Sequence, residues 1–249
     1  MGGHSHWAGI KHKKAITDKK RGKVWTKIVR EITIAARMGG GDPGGNPRLR
    51  KAIDDAKAAN MPAENVKRGI QKGTGEIPGV TYEELTLEGY GPGGIAIFCE
   101  ATSDKANRTT NEVRKIYENN GGNMGSTGTV GWMFQRKGQI FIARNATDED
   151  TLMGLALEAG AEDIKTEESG FEIVTAPADF EKVKAAIEAH KIAIESGELT
   201  MIPSNTIKVD GVEAQKVLKL IEELEAHDDI KNVYANYDMP DSVLAQNEK

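Results

Sequence analysis

At Gly79 the apolar pattern of this chain changes period, and the change limits what it can fold into. Before it, apolar residues recur at spacings of three and four. After it they alternate, with helical stretches between the alternating runs. A chain that begins helical and continues as strands separated by helices reads as α+β: an N-terminal three-helix domain followed by two α/β domains. Its 249 residues give each of two or three domains length for a core of its own.

The strongest pattern before Gly79 lies in residues 19–37. At about 100° per residue, Val24, Ala35, Ile28, Ile32, Trp25, Ala36 and Val29 fall in one arc. Lys20, Lys27, Lys23, Arg30, Lys19 and Arg37 fall in the opposite arc. The expected helix has an apolar stripe to bury and a cationic ridge to present, and only Ile34, inside the basic arc, does not fit. Charge over the whole chain is lopsided in the same sense. Residues 1–72 carry 17 Lys and Arg against 6 Asp and Glu, and residues 73–249 carry 16 against 32. An acidic chain that keeps one strongly basic end offers that end to a polyanion. The bland alternative is a solvated lysine-rich face.

Asn46 is placed to cap a second helix with Pro47 at its first position and Leu49, Ala52, Ile53 and Ala56 inward. Asn60 and Pro62 end it. A third helix follows, with Val66 and Ile70 inward and Gly73 as its stop. A strand from Tyr82 to Glu88, a glycine turn and a return from Ile95 to Ala101 come next. Ser103 or Asp104 then caps a helix bearing Val113, Ile116 and Tyr117. Residues 138–202 read as βαββαβ, the split ferredoxin-like order, with strands at 139–144, 162–167 and 171–175 and a last one from Ile192. Strand 205–209, a helix through Ala214, Val217, Leu218, Ile221 and Leu224, and strand 232–237 are expected to complete the sheet begun at Tyr82. The expected domains are therefore 1–78, 79–134 with 204–239, and an inserted 135–203, followed by a tail at 240–249.

Several function classes find no support. No apolar run approaches the ~20 residues of a membrane span. The first residues lack the apolar region of a secretory signal, so the expected location is the cytoplasm, away from membranes. Cys99 stands alone in the alternating run Ile95, Ile97, Cys99, Ala101, which suits a buried strand position better than a nucleophile. None of the glycine-rich stretches carries Gly-Lys-Ser/Thr at phosphate-loop spacing. His4, His6 and His12 have no neighbouring carboxylate or cysteine to complete a metal site, so no metal and no cofactor is expected. No familiar catalytic motif appears, and the expectation is a non-enzyme acting as a monomer. Phe141 and Phe171 echo an RNA-reading sheet, but in acidic surroundings that favour core positions.

The chain resembles the YebC/PmpR family of bacterial proteins, described as probable transcriptional regulators and related to a mitochondrial translational activator of cytochrome oxidase subunit I. The resemblance spans nearly the whole length. It rests on Gly3-His4-Ser5-His6-Trp7, Lys20-Arg21-Gly22-Lys23, Lys27-Ile28-Val29-Arg30-Glu31-Ile32, Asn46-Pro47-Arg48-Leu49-Arg50 and Asn60-Met61-Pro62. Further matches are Glu88-Gly89-Tyr90-Gly91-Pro92-Gly93-Gly94, Asn107-Arg108-Thr109, Gly121-Gly122-Asn123 and Ala159-Gly160-Ala161-Glu162-Asp163. It implies a helical domain plus two α/β domains, the third inserted in the second. It also implies a non-enzymatic role, as a DNA-binding transcriptional regulator or as a ribosome-associated factor that relieves stalls such as polyproline.

The residues expected to meet nucleic acid are His4, His6, Trp7, Lys11, His12, Lys13, Lys14, Lys20, Arg21, Lys23, Lys27 and Arg30. The cations would neutralise phosphates, Trp7 would stack or anchor, and the histidines would bond phosphate or base edges. The basic helix has few Asn or Gln to read adenine, so it suits the sequence-independent phosphate contribution and leans toward ribosomal RNA over a promoter. Charge reversal at Lys20, Lys23 and Lys27 is expected to abolish binding without disturbing the fold. The competing classes are a small-RNA-binding module, a protein scaffold and an unrecognised enzyme.

Overall fold

Helix α1 (Arg21–Gly39) is the centre of a three-helix unit with α2 (Pro47–Ala58) and α3 (Ala63–Thr74). The structure, a computed structural model, describes residues 21–167 and 170–239. Asn46 does two things at the first corner. Its side-chain oxygen accepts from the Leu49 N–H at 3.0 Å and caps α2, and its amide nitrogen donates to the Ala35 and Gly40 carbonyls at 2.7 and 2.9 Å. One buried side chain thus starts one helix and finishes another. Ile32, Ala35, Ala36, Leu49, Ala52, Ala56 and Met61 form the small core.

Gly73 does not stop the third helix. It lies inside α3, which ends at Gly75 in the left-handed region (φ 82°). Gly69 and Gly73, four apart and so on one face, press against α1. A Cβ at Gly73 would stand 2.4 Å from the Thr33 carbonyl oxygen and 2.7 Å from the Ala36 Cβ. The glycines are there for close helix approach rather than termination.

Strands β1 (Glu83–Tyr90) and β2 (Ala96–Ser103) form an antiparallel pair, followed by α4 (Ala106–Asn119) and the short β3 (Asn123–Met124). After the excursion described below the chain continues with β8 (Ile207–Lys208), α7 (Gly211–Ala226), β9 (Ile230–Ala235) and β10 (Tyr237–Asp238), of which β9 joins this sheet. The sheet order is β3-β1-β2-β9. Leu87, Ile97, Cys99 and Val233 from the strands, Val113 and Tyr117 from α4, and Val217, Leu220 and Leu224 from α7 share one core, with Cys99 fully buried. Segment 205–209 does not complete the sheet. Its Ile207 and Lys208 pair in parallel with β10, apart from the main sheet, which β9 alone of the late strands joins, beside β2.

The excursion is β4 (Phe134–Ala143), α5 (Glu149–Ala159), β5 (Ala161–Thr166), β6 (Gly170–Thr175), α6 (Phe180–Ala189) and β7 (Ser196–Pro203). Its antiparallel order β5-β6-β4-β7 is the ferredoxin-like arrangement. The last strand begins at Ser196, four residues after Ile192, which is buried in the core. Phe171 pairs with Ile142 and joins that core, whereas Phe141 stands opposite Glu172 on the other face. The two rings therefore form no common platform for bases. Phe98, Val130, Met133 and Phe134, with Tyr234 and Met201 against them, join the two sheets.

Candidate nucleic-acid interface

Three sides of α1 are covered. Two meet α2 and α3, and the third, its cationic ridge, lies against the far end of the chain. Lys23 Nζ donates to the Ala226 carbonyl at 2.8 Å and stands 3.5 Å from Asp228. Lys27 Nζ donates to the Glu225 carbonyl at 2.8 Å, and Arg30 donates to the Asp228 carbonyl at 2.7 Å. The Glu225 and Ala226 carbonyls lie in the last turn of α7, a helix with no basic residue of its own there, and Asp228 follows just beyond its cap. A helix C-terminus leaves carbonyls unpaired and carries partial negative charge, and cations from α1 supply what α7 lacks. Burial holds the Lys27 ammonium below its ordinary range, opposed by Glu225 and Asp228.

Asp229 is the hub of the contact. Its side chain is 3% exposed and meets Arg30 at 2.6 Å, Arg108 at 2.8 Å and the Thr109 hydroxyl at 2.5 Å. Burial alone would push this carboxyl up. The Thr109 and Arg108 hydrogen bonds and the Arg30 charge outweigh it and hold it at about 2. Beside this hub, Arg48 bridges Glu31 (2.7 Å) and Glu84 (2.5 Å), and Lys231 reaches Glu31 at 2.9 Å. Arg30 also lies over the Tyr82 ring, 5.6 Å from its centroid.

The expectation of a presented ridge is corrected here. The correction is partial: Lys27 and Arg30 are largely covered by contacts within the chain, and Ile34, on the same face, is only 5% exposed, whereas Lys23 is hydrogen-bonded but half exposed and Arg37 is exposed. His4, His6, Trp7, Lys11, His12, Lys13, Lys14 and Lys20 lie outside the described residues, as does the Arg21 side chain. The helical unit carries other cations that were not singled out as a set. Arg37, Lys67, Arg68 and Lys72 are exposed and make no ion pair among the described residues. Arg37 belongs to the cationic arc of α1, whereas Lys67, Arg68 and Lys72 enter only the basic count of residues 1–72. Among the described residues, no group of three His, Cys, Asp or Glu side chains is placed to hold a metal ion, and no helix is long and apolar enough to cross a membrane.

Charge reversal on the ridge consequently acts on stability. Lys23→Glu with Lys27→Glu places two carboxylates against the α7 carbonyls and Asp228. The melting temperature is expected to fall by several degrees, on the order of 2 kcal/mol. A thermal melt indistinguishable from the parent's would show that the ridge is not held by this contact.

Residues 5–76 match the family model described as the TACO1/YebC protein N-terminal domain, and residues 82–237 match the TACO1/YebC second and third domain. The chain belongs to the TACO1/YebC family. Similar proteins named "Probable transcriptional regulatory protein" occur in Elusimicrobium minutum, 55% identical over 98% of each chain, and in Natranaerobius thermophilus, 56% identical over 98% of this chain and 99% of the other. The crystal structure of a conserved hypothetical protein from Aquifex aeolicus has 46% sequence identity and a TM-score of 0.79, covering 95% of this chain and 98% of that one. This TACO1/YebC chain therefore shares its fold with a solved relative over almost its whole length.

Proposed function

We propose that this TACO1/YebC protein is a non-enzymatic regulator of gene expression that binds nucleic acid through its basic helical end. The observation that carries the reading is the charge asymmetry, 17 cations against 6 anions in residues 1–72 of an acidic chain. The exposed Arg37, Lys67, Arg68 and Lys72 add to it. Relatives named as probable transcriptional regulators support the regulatory part. Residues 4–21 supply most of the contacts in this proposal, and the docked Lys23, Lys27 and Arg30 hold α1 in position. The working units are 1–78, 79–134 with 204–239, and 135–203. The protein acts in the cytoplasm as a monomer, without metal or cofactor.

Between DNA and ribosomal RNA, the lysine-rich composition favours phosphate-dense, structured RNA, with duplex DNA binding as a side activity. Log affinity for duplex DNA is expected to fall with log salt by about 0.9 per neutralised phosphate. Neutralising Lys11, Lys13 and Lys14 to Gln should lower that slope by roughly 3 units. Crosslinking in cells with sequencing of bound RNA and DNA separates the targets. Localised ribosomal RNA crosslinks would support the ribosome reading, and discrete promoter peaks without ribosomal RNA would sink it.

A further inference from the structure

Trp132 is 73% exposed, the most exposed large apolar side chain among the described residues. It sits on a turn, Gly131–Met133, fixed on both sides. Before the turn, the buried Glu88 carboxylate accepts the Gly128, Val130 and Gly131 N–H groups at 2.8, 2.7 and 2.7 Å, and the Glu88 carbonyl accepts from Gly125 at 2.8 Å. After it, Met133 and Phe134 are buried in the cluster that joins the two sheets. The Trp132 indole N–H donates to the Thr129 carbonyl at 3.2 Å, which fixes the ring and satisfies its one polar group. What remains for a partner is the π surface, held on an ordered frame.

The surroundings decide what partner fits. Asn123, Ser126, Thr127, Gly128, Gln135 and Arg136 are the exposed residues of the same stretch, and none is a large apolar; on the strand paired with it, the exposed large side chain is Tyr90, opposite Asn123, an aromatic ring with a polar tip. A protein-docking face needs a contiguous apolar patch around its aromatic anchor, and this segment provides none. A flipped-out base needs a flat aromatic face with hydroxyl, amide and cationic groups nearby. We infer that Trp132 is a stacking site for an unpaired base of bound RNA, a second contact remote in sequence from the basic helical end. The inference rests on the nucleic-acid reading above and adds to it single-strand preference. Phosphate contacts from the helical end bind any polyanion, whereas stacking at Trp132 selects RNA with bases free of pairing.

The test uses the full chain. Affinity for a labelled 12-nucleotide single-stranded RNA and for a blunt DNA duplex is read by anisotropy in wild type, Trp132→Ala and Trp132→Phe. Loss of one stacked base is expected to weaken RNA binding roughly 5- to 100-fold in Trp132→Ala, with Trp132→Phe retaining most of it and duplex binding unchanged. Melting temperature should hold in both variants, because the side chain is exposed. In parallel, the tryptophan fluorescence of the wild-type chain should quench on adding the RNA, and the part of that quench due to Trp132 should be missing in Trp132→Ala. Unchanged RNA affinity in Trp132→Ala, or equal losses for RNA and duplex, overturns the stacking site and leaves the broader proposal standing. Absence of binding to either nucleic acid in wild type overturns both.

Discussion

Replacing Asp229 with alanine is expected to lower the melting temperature by roughly 10 °C and to loosen the helical unit from the rest of the chain. The carboxylate is buried between two guanidinium groups and a buried hydroxyl. Its removal strands Arg30, whose side chain is itself only 17% exposed. Breaking one partner out of a buried pair typically costs about 3–5 kcal/mol, far more than the ~0–1 kcal/mol of an exposed pair. In a chain of this size each kcal/mol moves the midpoint by roughly 2–4 °C. Asp229→Asn keeps the shape and the Thr109 hydrogen bond, and should lose less. The pH dependence has a definite sign. Asp229 sits at about 2 when folded, below its ordinary 3.8. Its contribution is fully present above about pH 4 and is lost as pH falls through about 2, amounting to on the order of 2 kcal/mol. In wild type the melting temperature should fall steeply across that window. The same fall in Asp229→Asn would assign the acid sensitivity to other carboxylates. Glu31 is one candidate: burial raises its carboxyl, but Arg48 and Lys231 bring it below its ordinary range.

Gly73→Ala is expected to destabilise as well, against the usual helix trend. Alanine in place of glycine inside a helix gains about 1 kcal/mol in propensity. Here the added methyl would meet the Thr33 carbonyl and the Ala36 methyl at distances no real Cβ adopts, and backbone cannot turn aside as a side-chain tip does. Overpacking of that kind costs about 1–3 kcal/mol and more when a helix must move. The balance should be a melting temperature lower by 3–8 °C, with larger losses for valine. Gly45→Ala, which would touch nothing within 4 Å, is the control and should be neutral. A Gly73→Ala chain more stable than wild type would mean that α3 does not lie flush on α1.

Much of this fold was legible because period and punctuation agree. Asn46-Pro47 announced a cap, and the βαββαβ order came from alternation broken by helical runs. What was not legible depends on partners distant in the chain. Gly73 looks like a stop when only its own helix is considered. It becomes a packing residue only beside Thr33 and Ala36. The cationic arc of α1 looked free because local periodicity says nothing of residues 225–229. The one local hint was Ile34, an apolar residue on a face that would otherwise have faced water, and its burial shows that this face docks. The place of segment 205–209 depends on its pairing with Tyr237 and Asp238, about 30 residues on, which its own alternation does not reveal.

The docking of α1 on the end of α7 joins residues about 200 positions apart, as in Lys23 with Ala226 and Arg30 with Asp228. A growing chain therefore exposes the ridge before its cover exists. At roughly 5–20 residues per second the interval is about 10–40 s. During that time α1 can fold with α2 and α3, since their contacts are local, while Lys23, Lys27 and Arg30 have no carbonyls or Asp229 to meet. Any product cut short before residue 225 keeps that face uncovered permanently, and it carries a higher density of free positive charge than the finished protein.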